Sequence, residues 1–345
     1  MAVASAPGKV HLIGEHAVVY GEPAIFAAVG MRTFVTAEKS DRVGYKDKRW
    51  GHNDSWSLED VVAATDEVVG LWNACAQKQE FSELFSNIKA NSYENYKKAA
   101  IGAAMKNLGI NGGISISIES QLPAGAGLGS SASLSVAAVN AIAAEYGKSV
   151  SKEETNRIAY ELEKIIHGTP SGGDNSACCY GGLIWFQKPN TILSLKEEIP
   201  YKLENFILVY TNQPEKTTGE LVQSVRNLEE NLRNHCVHEI GRLAKDMREA
   251  LKIRDLETMK RTINRNQQIL AKLGVSTPEI DEMVSAIKEK GGAAKLCGAG
   301  GGGMVLCYHE KKNILLETIR DLGYEPLETD LAVEGVKIEN ENSNT

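Results

Sequence analysis

The sequence predicts a protein of mixed helices and strands that folds as two domains. The chain has 345 residues, which is longer than a single hydrophobic core usually organises. Strand and helix patterns alternate in its first half, whereas its second half is mainly helical before it closes on strands. The stretch QKPNTILSLKEEIPYKLE at 187–204 separates the halves. We therefore expect domains at 1–190 and 205–338, followed by a disordered polar tail at 339–345.

The first half begins with strand patterns and continues with helices and one clear strand. Glycines interrupt the first 40 residues before the β-rich run MRTFVTA, which predicts short strands separated by turns. Residues 40–60 are polar and without pattern, so we expect an exposed loop there. Isoleucines at 114, 116 and 118 predict a half-buried strand, because side chains alternate between faces along a strand. Helices are expected at 91–108, at 131–146 and from a capping serine at 151 onward.

The second half is predicted to be helical between two groups of strands. Strands are expected at 181–186 and 206–210, where apolar, β-branched and aromatic residues gather. Helical patterns follow at roughly 217–250, 255–272 and 277–289. The last part, 293–337, predicts a strand, a glycine turn, a strand, a helix and a strand.

Composition and charge argue against several classes of protein. The net charge of -7 argues against nucleic acid as a partner, and an aromatic content of 6% is too low for base-stacking surfaces. No run of about 18 apolar residues occurs, and the N-terminus lacks the pattern of a signal peptide. The six cysteines show no metal-binding spacing and favour reduced thiols. The sequence therefore predicts a cytoplasmic protein that binds neither nucleic acid nor a membrane.

A glycine-rich stretch, LPAGAGLGSSAS at 122–133, lies between a predicted strand and a predicted helix. Glycine lets a ligand approach the main chain, and the free N–H groups of a helix's first turn attract anions. A phosphate site and a tight strand-to-helix turn both explain this pattern. The P-loop pattern GxxxxGK[ST] does not occur in the sequence.

A second glycine-rich stretch, KLCGAGGGG at 295–303, contains the spacing GxGxxG at Gly298, Gly300 and Gly303. In dinucleotide-binding proteins a helix follows these glycines, whereas here MVLCYH predicts a strand. We therefore expect a turn between two strands. Four successive glycines exceed what a hairpin needs, which suggests that something packs closely against this backbone.

Three stretches in this order resemble the signature motifs of the GHMP small-molecule kinases. They are SAPGKVHLIGEHAVVYGEPAI at 5–25, LPAGAGLGSSAS and KLCGAGGGG, and the resemblance extends from residue 5 to about 306, with 40–90 the least similar part. A narrower likeness to one branch of the family is carried by GEHAVVYG, MRTF, HGTPSGGDN and NRNQQILAKLGVS. The resemblance implies an α+β fold whose first domain is like domain 2 of ribosomal protein S5. The second domain would be ferredoxin-like, with ATP and a small-molecule substrate in the cleft between the two.

The resemblance also implies ATP and Mg²⁺ as cofactors and assigns residues to them. The hydroxyl of Ser131 and the carboxylate of Glu163 would hold Mg²⁺, an ion that prefers hard oxygen ligands. The nucleotide phosphates would lie against the loop and the start of the following helix, formed by Pro123, Ala124, Gly125, Ala126, Gly127, Leu128, Gly129, Ser130 and Ser131.

The family's reaction needs a positioned acceptor hydroxyl, and the resemblance assigns this task to Asp174 and Lys9. Asp174 would take or orient the hydroxyl proton, while Lys9 would keep that carboxylate ionised and favour the developing charge. The acceptor pocket would comprise Lys9, Glu15, His16, Asp174, Thr218 and Gly300, with Ser130 and Thr217 as further candidates. A homodimer is the expected assembly.

Each candidate also has an ordinary structural explanation when it is taken alone. An aspartate among glycines is usually a turn former, a helical glutamate usually faces solvent, and a threonine before a helix usually caps it. Two positions depart from the family pattern. Cys297 replaces a threonine and offers a weaker hydrogen-bonding group, and Leu134 replaces an aromatic residue, so we expect a changed pocket shape.

Three interpretations of function remain open at this point. The first is a kinase acting on an uncharged hydroxyl, the second a family member that acts on a sugar or a phosphorylated acceptor, and the third a sensor without catalysis. A phosphorylated acceptor calls for added Lys or Arg, and no basic cluster lies near residues 9–20 or 167–175. Lys9, Glu163 and Asp174 are all present, which argues against a sensor.

Overall fold

The computed structural model describes residues 1–123, 125–189 and 191–339. Ala124 of the predicted phosphate loop and residues 340–345 of the predicted tail therefore lie outside the described residues. The strands are β1 (Ala2–Ile13), β2 (Ala24–Ser40), β3 (Val43–Asp47), β4 (His52–Trp56), β5 (Gly113–Ser120), β6 (Leu183–Gln187), β7 (Thr191–Ser194), β8 (Phe206–Tyr210), β9 (Ala293–Leu296), β10 (Met304–Tyr308), β11 (Pro326–Leu327) and β12 (Lys337–Glu339).

The helices are distributed between the two halves of the chain. They are α1 (Leu58–Lys78), α2 (Ser82–Asn107), α3 (Ser130–Glu145), α4 (Lys152–His167), α5 (Gly173–Tyr180), α6 (Thr218–Arg226), α7 (Glu230–Ile253), α8 (Leu256–Lys272), α9 (Pro278–Glu289) and α10 (Lys312–Asp321). A short 3₁₀ helix, Ala17–Tyr20, follows β1, and α2 is kinked at residues 90–93. Within the described residues, none of these helices has the length and apolar character needed to cross a bilayer.

The strands form two sheets, one in each domain. The first sheet has eight strands in the order β12-β1-β2-β5-β3-β4, with β6 joined to β2 and β7 joined to β6. The second has four antiparallel strands in the order β11-β8-β10-β9. Numbered within the domain, this order is 4-1-3-2, and helices connect the first strand to the second and the third to the fourth. That is the topology of a ferredoxin-like domain.

Several predicted elements are confirmed because local sequence determined them. Ile114, Ile116 and Ile118 are buried on β5, as the alternating pattern predicted. Ser151 caps α4 by accepting a hydrogen bond from the N–H of Glu154. The predicted strand, glycine turn and strand near residue 300 are β9, the turn and β10.

Other predictions were wrong because contacts distant in sequence decide these elements. Residues 40–60 are not a loop: β3 and β4 form a hairpin there, and β3 pairs in parallel with β5. The first 40 residues hold two long strands in place of several short ones. The helix predicted over 217–250 is two helices, since Glu229 caps a new helix by accepting hydrogen bonds from two backbone N–H groups. β7 also extends the first sheet into the stretch expected to separate the halves.

One hydrophobic cluster contains residues of both domains and joins them. Val10 and Leu12 of β1 belong to the same buried cluster as Val209 of β8 and Leu306 of β10. Because neighbouring residues of a strand point to opposite faces, Lys9 and His11 lie on the other face of β1. The packing that joins the domains therefore fixes the strand that carries the predicted catalytic lysine.

The end of the chain returns to the first domain as a segment that we call the C-terminal strap, residues 331–339. Its β12 pairs antiparallel with β1, and Glu339, the first residue of the predicted tail, pairs with Val3. The N–H of Val336 donates to the carbonyl of Cys179 at the end of α5. The strap therefore supports both the edge of the first sheet and the helix that carries Asp174.

Arg32 holds the C-terminal strap in place, and we expect its removal to destabilise the fold. Its guanidinium donates to the carbonyls of Ser5, Glu334 and Gly335 at 3.0, 3.0 and 2.7 Å. Hydrogen bonds from a charged group contribute about 1.5–3 kcal/mol each, so Arg32→Met should lower the free energy of unfolding by at least about 2 kcal/mol in a denaturant titration. Arg42→Met, which removes only exposed bonds to Ser55, is the control and should have little effect. Equal stability of the two variants would refute the role of Arg32.

Candidate active site

The predicted catalytic pair lies together in the structure. Lys9 is on β1 and Asp174 is in the first turn of α5, and the Nζ–Oδ2 distance is 3.0 Å. The Lys9 side chain is 3% exposed and that of Asp174 is 35% exposed, so the carboxylate is the accessible member. The ammonium also donates to the carbonyl of Gly127, at 3.1 Å. Three stretches that are distant in sequence therefore meet at one ammonium.

His11 completes the surroundings of the Lys9 ammonium. Its Nδ1 lies 3.4 Å from Lys9 Nζ. Burial lowers the pKa of His11 well below its ordinary value, and the charges of Lys9 and Lys295 lower it further. The imidazole is therefore neutral, and because an ammonium can only donate, Nδ1 accepts from it. The three N–H donors of the Lys9 ammonium are therefore all engaged, by Asp174, Gly127 and His11. These contacts fix the position of the ammonium.

The predicted phosphate loop has a backbone that requires glycine. Gly125, Gly127 and Gly129 have φ angles of +68°, +77° and +69°, in the left-handed region. A Cβ on Gly127 would lie 3.0 Å from the carbonyl oxygen of Cys297, and one on Gly129 would lie 2.9 Å from Lys9 Cγ. The loop thus fits closely between the first and third motifs, and its lack of side chains has a packing cause besides any ligand.

Two helix N-termini with glycine at the N-cap flank the catalytic pair. α3 begins after Gly129 and α5 after Gly172, and neither glycine can cap its helix with a side chain. At α5 the N–H of Gly173 instead donates to Ser171 Oγ, at 3.1 Å. Ser57, Ser151 and Thr217, in contrast, cap three other helices. The first N–H groups of α3 and the N–H groups that follow Gly173 in α5 remain available and carry partial positive charge. This geometry favours an anion beside Lys9.

The two predicted metal ligands also lie together. Glu163 is buried on α4, and its carboxylate accepts hydrogen bonds from Ser131 Oγ and Ser135 Oγ, both at 3.0 Å. Burial raises the pKa of Glu163, the neighbouring His167 opposes that rise, and the charge of Asp174 adds to it. A bound cation would offset the free-energy cost of burying the charged Glu163 carboxylate.

His167 is part of this cluster, and the sequence interpretation missed it. Its Nε2 lies 3.0 Å from Ser131 Oγ and 3.5 Å from Glu163 Oε2. The spacing of four residues from Glu163 places both side chains on one face of α4, and this was the signal available in the sequence.

The four glycines of the third motif pack against protein. They form the turn between β9 and β10, with φ angles from +71° to +123°. A Cβ on Gly300 would lie 2.2 Å from the carbonyl oxygen of Val275, and one on Gly302 would lie 2.7 Å from Asn212 Oδ1. The N–H of Met304 donates to the carbonyl of Ala126 in the phosphate loop. The expected close packing is therefore present, with the protein's own loops as the packing partners.

Glu15 and His16 follow β1 and differ in what they can offer a ligand. The Glu15 carboxylate is buried and bonded to Lys295 and Asn266. His16 Nε2 lies 2.9 Å from the carbonyl oxygen of Ala299, so this nitrogen carries the proton and donates. Burial lowers the pKa of His16, which keeps the ring neutral. Its Nδ1 is buried and has no hydrogen-bond partner among the described residues, so it is free to accept one.

The remaining pocket candidates lie at helix starts. Thr217 caps α6, because its hydroxyl accepts from the N–H of Glu220 and donates to the Glu220 carboxylate, so the capping explanation is confirmed. Thr218 is the exposed first residue of α6, and Ser130 is the partly buried first residue of α3.

The two residues that depart from the family pattern, Cys297 and Leu134, lie in different parts of the structure. Cys297 is buried beside the third-motif turn, and burial raises the pKa of its thiol to about 11, so the thiol is neutral. Leu134, expected to shape the substrate pocket, lies on α3 and lines a small cavity together with Tyr45 and Tyr96.

Comparison with known proteins gives full-length relatives. Residues 95–182 match the family model for the GHMP kinases N-terminal domain, and residues 247–323 match the model for the GHMP kinases C-terminal domain. The mevalonate kinases of Thermococcus sibiricus and Pyrococcus furiosus are each 34% identical to this chain, and each alignment covers 98% of both chains. The crystal structure of the Methanococcus jannaschii mevalonate kinase superposes with a TM-score of 0.77 at 28% identity, covering 98% of both chains.

Proposed function

The chain belongs to the GHMP kinase family, and from that premise we propose that it transfers the terminal phosphate of ATP to the 5-hydroxyl of mevalonate, giving 5-phosphomevalonate and ADP. Use of ATP follows from the kinase family. The choice of mevalonate rests on the names of the full-length relatives. This reaction would supply a phosphorylated precursor for isoprenoid synthesis.

The observation that carries the proposal is the Lys9–Asp174 pair beside the free N-terminus of α3. Asp174, the accessible member, accepts or orients the proton of the acceptor hydroxyl. Lys9 forms an ion pair with that carboxylate and stabilises the charge that develops on the attacking oxygen. The glycine-rich loop and the N-terminus of α3 hold the nucleotide phosphates through backbone N–H groups. Phosphoryl transfer consists mainly of such positioning and charge stabilisation.

The residues at Ser131 and Glu163 fit a magnesium ion. A hydroxyl and a buried carboxylate are the hard oxygen ligands this ion takes, and Mg²⁺ is commonly bound by one or two carboxylates together with substrate phosphates. When bound, Mg²⁺ supplies positive charge to the phosphate oxygens. Within the described residues no cluster of three His, Cys, Asp or Glu side chains is placed to hold a metal ion.

His16 is proposed to bind the acceptor. Its neutral ring presents Nδ1 as a buried acceptor without a partner among the described residues, and a mevalonate hydroxyl would supply the missing donor. The backbone of His16 has φ 59° and ψ −43°, outside the regions that residues with a side chain favour, and such strain is typical of functional sites. Gly300 and Thr218 belong to the same proposed pocket.

The proposal also includes a homodimer and a cytoplasmic location, the latter supported by six free cysteines.

A coupled ADP-release assay tests the proposed function. The purified protein is assayed with mevalonate, phosphomevalonate, homoserine and galactose at saturating ATP and Mg²⁺. We expect kcat/KM for mevalonate to exceed that for each other acceptor by at least about 10²-fold, since a missing or added polar group leaves buried partners unpaired. A higher value for phosphomevalonate or galactose would assign the enzyme to another branch of the family, and no turnover with any of them would support the sensor.

Removal of the Glu163 carboxylate should weaken the response to magnesium. We expect Glu163→Gln to raise the Mg²⁺ concentration for half-maximal activity by about 10-fold or more, because a neutral amide is a poorer ligand. The matched control is Glu161→Gln, which changes a partly exposed glutamate on the same helix that pairs with Lys164. Magnesium binding in the presence of ADP, followed by calorimetry, should show the same difference. Identical magnesium responses in both variants would remove Glu163 from the metal site.

A further inference from the structure

Lys295 is a completely buried lysine that joins the two domains beside the acceptor pocket. It lies on β9 in the second domain, and its side chain is 0% exposed. Its ammonium donates to the carbonyl of His11 on β1 at 3.1 Å, to the carbonyl of Leu296 at 2.9 Å and to the carboxylate of Glu15. An ammonium has three donors, so all of them are engaged, two with residues of the first domain.

Glu15, the partner of Lys295, has no oxygen left without a bond. One carboxylate oxygen accepts from Lys295, and the other accepts from Asn266 Nδ2 on α8 at 3.1 Å. The Glu15 side chain is 0% exposed. A buried charge of this kind is tolerated only when it is paired, and removal of one partner alone costs about 3–5 kcal/mol. The carboxylate therefore faces the second domain and is not presented to a ligand.

His16 follows Glu15 directly, so the buried pair also controls the position of His16. The third motif holds this turn at two points: Lys295 holds Glu15, and the carbonyl of Ala299 accepts from His16. The strained backbone of His16 persists only while such contacts over-determine it. If the contact at Glu15 were lost, we expect His16 Nδ1 to move away from the acceptor.

We propose that Lys295 is a positioning residue for the acceptor: it keeps the Glu15 carboxylate within the domain junction and thereby places His16 in the pocket. In this arrangement Glu15 connects Lys295 to His16 and does not contact mevalonate. The family resemblance, in contrast, assigns Glu15 to the acceptor pocket. This inference rests on the proposed function, because it concerns the affinity for the same acceptor.

The test compares variants of the full-length enzyme by their KM values for both substrates. Lys295→Met leaves Glu15 buried without a cation, and we expect KM for mevalonate to rise at least about 10-fold while KM for ATP changes less than about 2-fold. Glu15→Gln keeps an acceptor for Lys295, and its new amide can donate to Asn266 Oδ1, which has no partner among the described residues. It still removes the charge paired with Lys295, so we expect its KM for mevalonate to rise, but less than that of Lys295→Met. The double variant Lys295→Met/Glu15→Gln should bind mevalonate better than Lys295→Met does, since no buried charge is left unpaired.

Lys97→Met is the matched control for the loss of a buried lysine. Lys97 is 4% exposed and paired with Asp54 in the first domain. We expect it to lower the melting temperature as Lys295→Met does, with an unchanged KM for mevalonate. An unchanged KM for mevalonate in Lys295→Met, or an equal rise for both substrates, would overturn the proposal. If Lys295→Met does not fold, the double variant decides, because it leaves no buried charge unpaired: a KM for mevalonate more than about 10-fold above that of the parent would show direct contact through the Glu15 carboxylate. A parent enzyme inactive on mevalonate would instead refute the proposed function.

Discussion

Asp174→Asn is expected to bind both substrates nearly as well as the parent and to lose at least about 10²-fold in kcat, the usual effect of removing a general base. An amide occupies the same space and can still bond to Lys9, 3.0 Å away, but it cannot accept the hydroxyl proton. The measurement is kcat and KM for the variant and the parent, with thermal melts to establish folding. Asp66→Asn, at an exposed aspartate paired with Lys106, is the control and should keep the parent's kcat. Near-parent activity of Asp174→Asn would remove Asp174 from the mechanism.

Lys9→Met extends the same test to the partner of Asp174. We expect kcat to fall by about 10²-fold, because the charge stabilises the transition state more than the bound substrate. Lys9 also donates to Gly127 and His11, so some loss of thermal stability should accompany the change. Since both residues act on one proton and one developing charge, the double variant should be less impaired than the product of the single effects. Fully multiplicative losses would mean that the two residues act independently.

Gly127→Val is expected to weaken ATP binding by roughly 10²-fold, since left-handed strain and overpacking each cost about 1–3 kcal/mol. Gly127 has a φ of +77°, and its added Cβ would lie 3.0 Å from the carbonyl oxygen of Cys297. The loop can relieve this contact only by moving away from the third motif, which displaces the backbone that faces the phosphates. The measurement is ATP affinity by calorimetry, together with a thermal melt.

Gly147→Val is the matched control for backbone strain. Gly147 has a φ of +68°, and a Cβ there would meet nothing within 4 Å. This variant should lose stability through strain alone and keep the parent's ATP affinity. A folded Gly127→Val protein with unchanged nucleotide affinity would contradict the assignment of residues 125–131 to the phosphates.

The sequence predictions succeeded where residues close in sequence determine an element, and they failed where residues distant in sequence do. The isoleucines of β5 and the Ser151 cap were predictable because periodicity and capping are local. The β3–β4 hairpin was not, because polar residues form strands there through pairing with β5, about 70 residues later. In the site, motif resemblance indicated Lys9, Asp174, Ser131 and Glu163, and the structure brings them together in pairs. Lys295 gave no signal, since a lysine in a short strand is ordinarily solvated.

The C-terminal strap has a consequence for how the protein is made. Ribosomes release a chain from its N-terminus, and domains commonly fold as they emerge. Here Val3 of β1 pairs with Glu339 of β12, and the whole second domain lies between these two strands in the sequence. The first domain therefore cannot complete its sheet until the second domain has been translated. During that time this edge of β1 presents unpaired N–H and C=O groups, and such an edge is prone to pair with other chains.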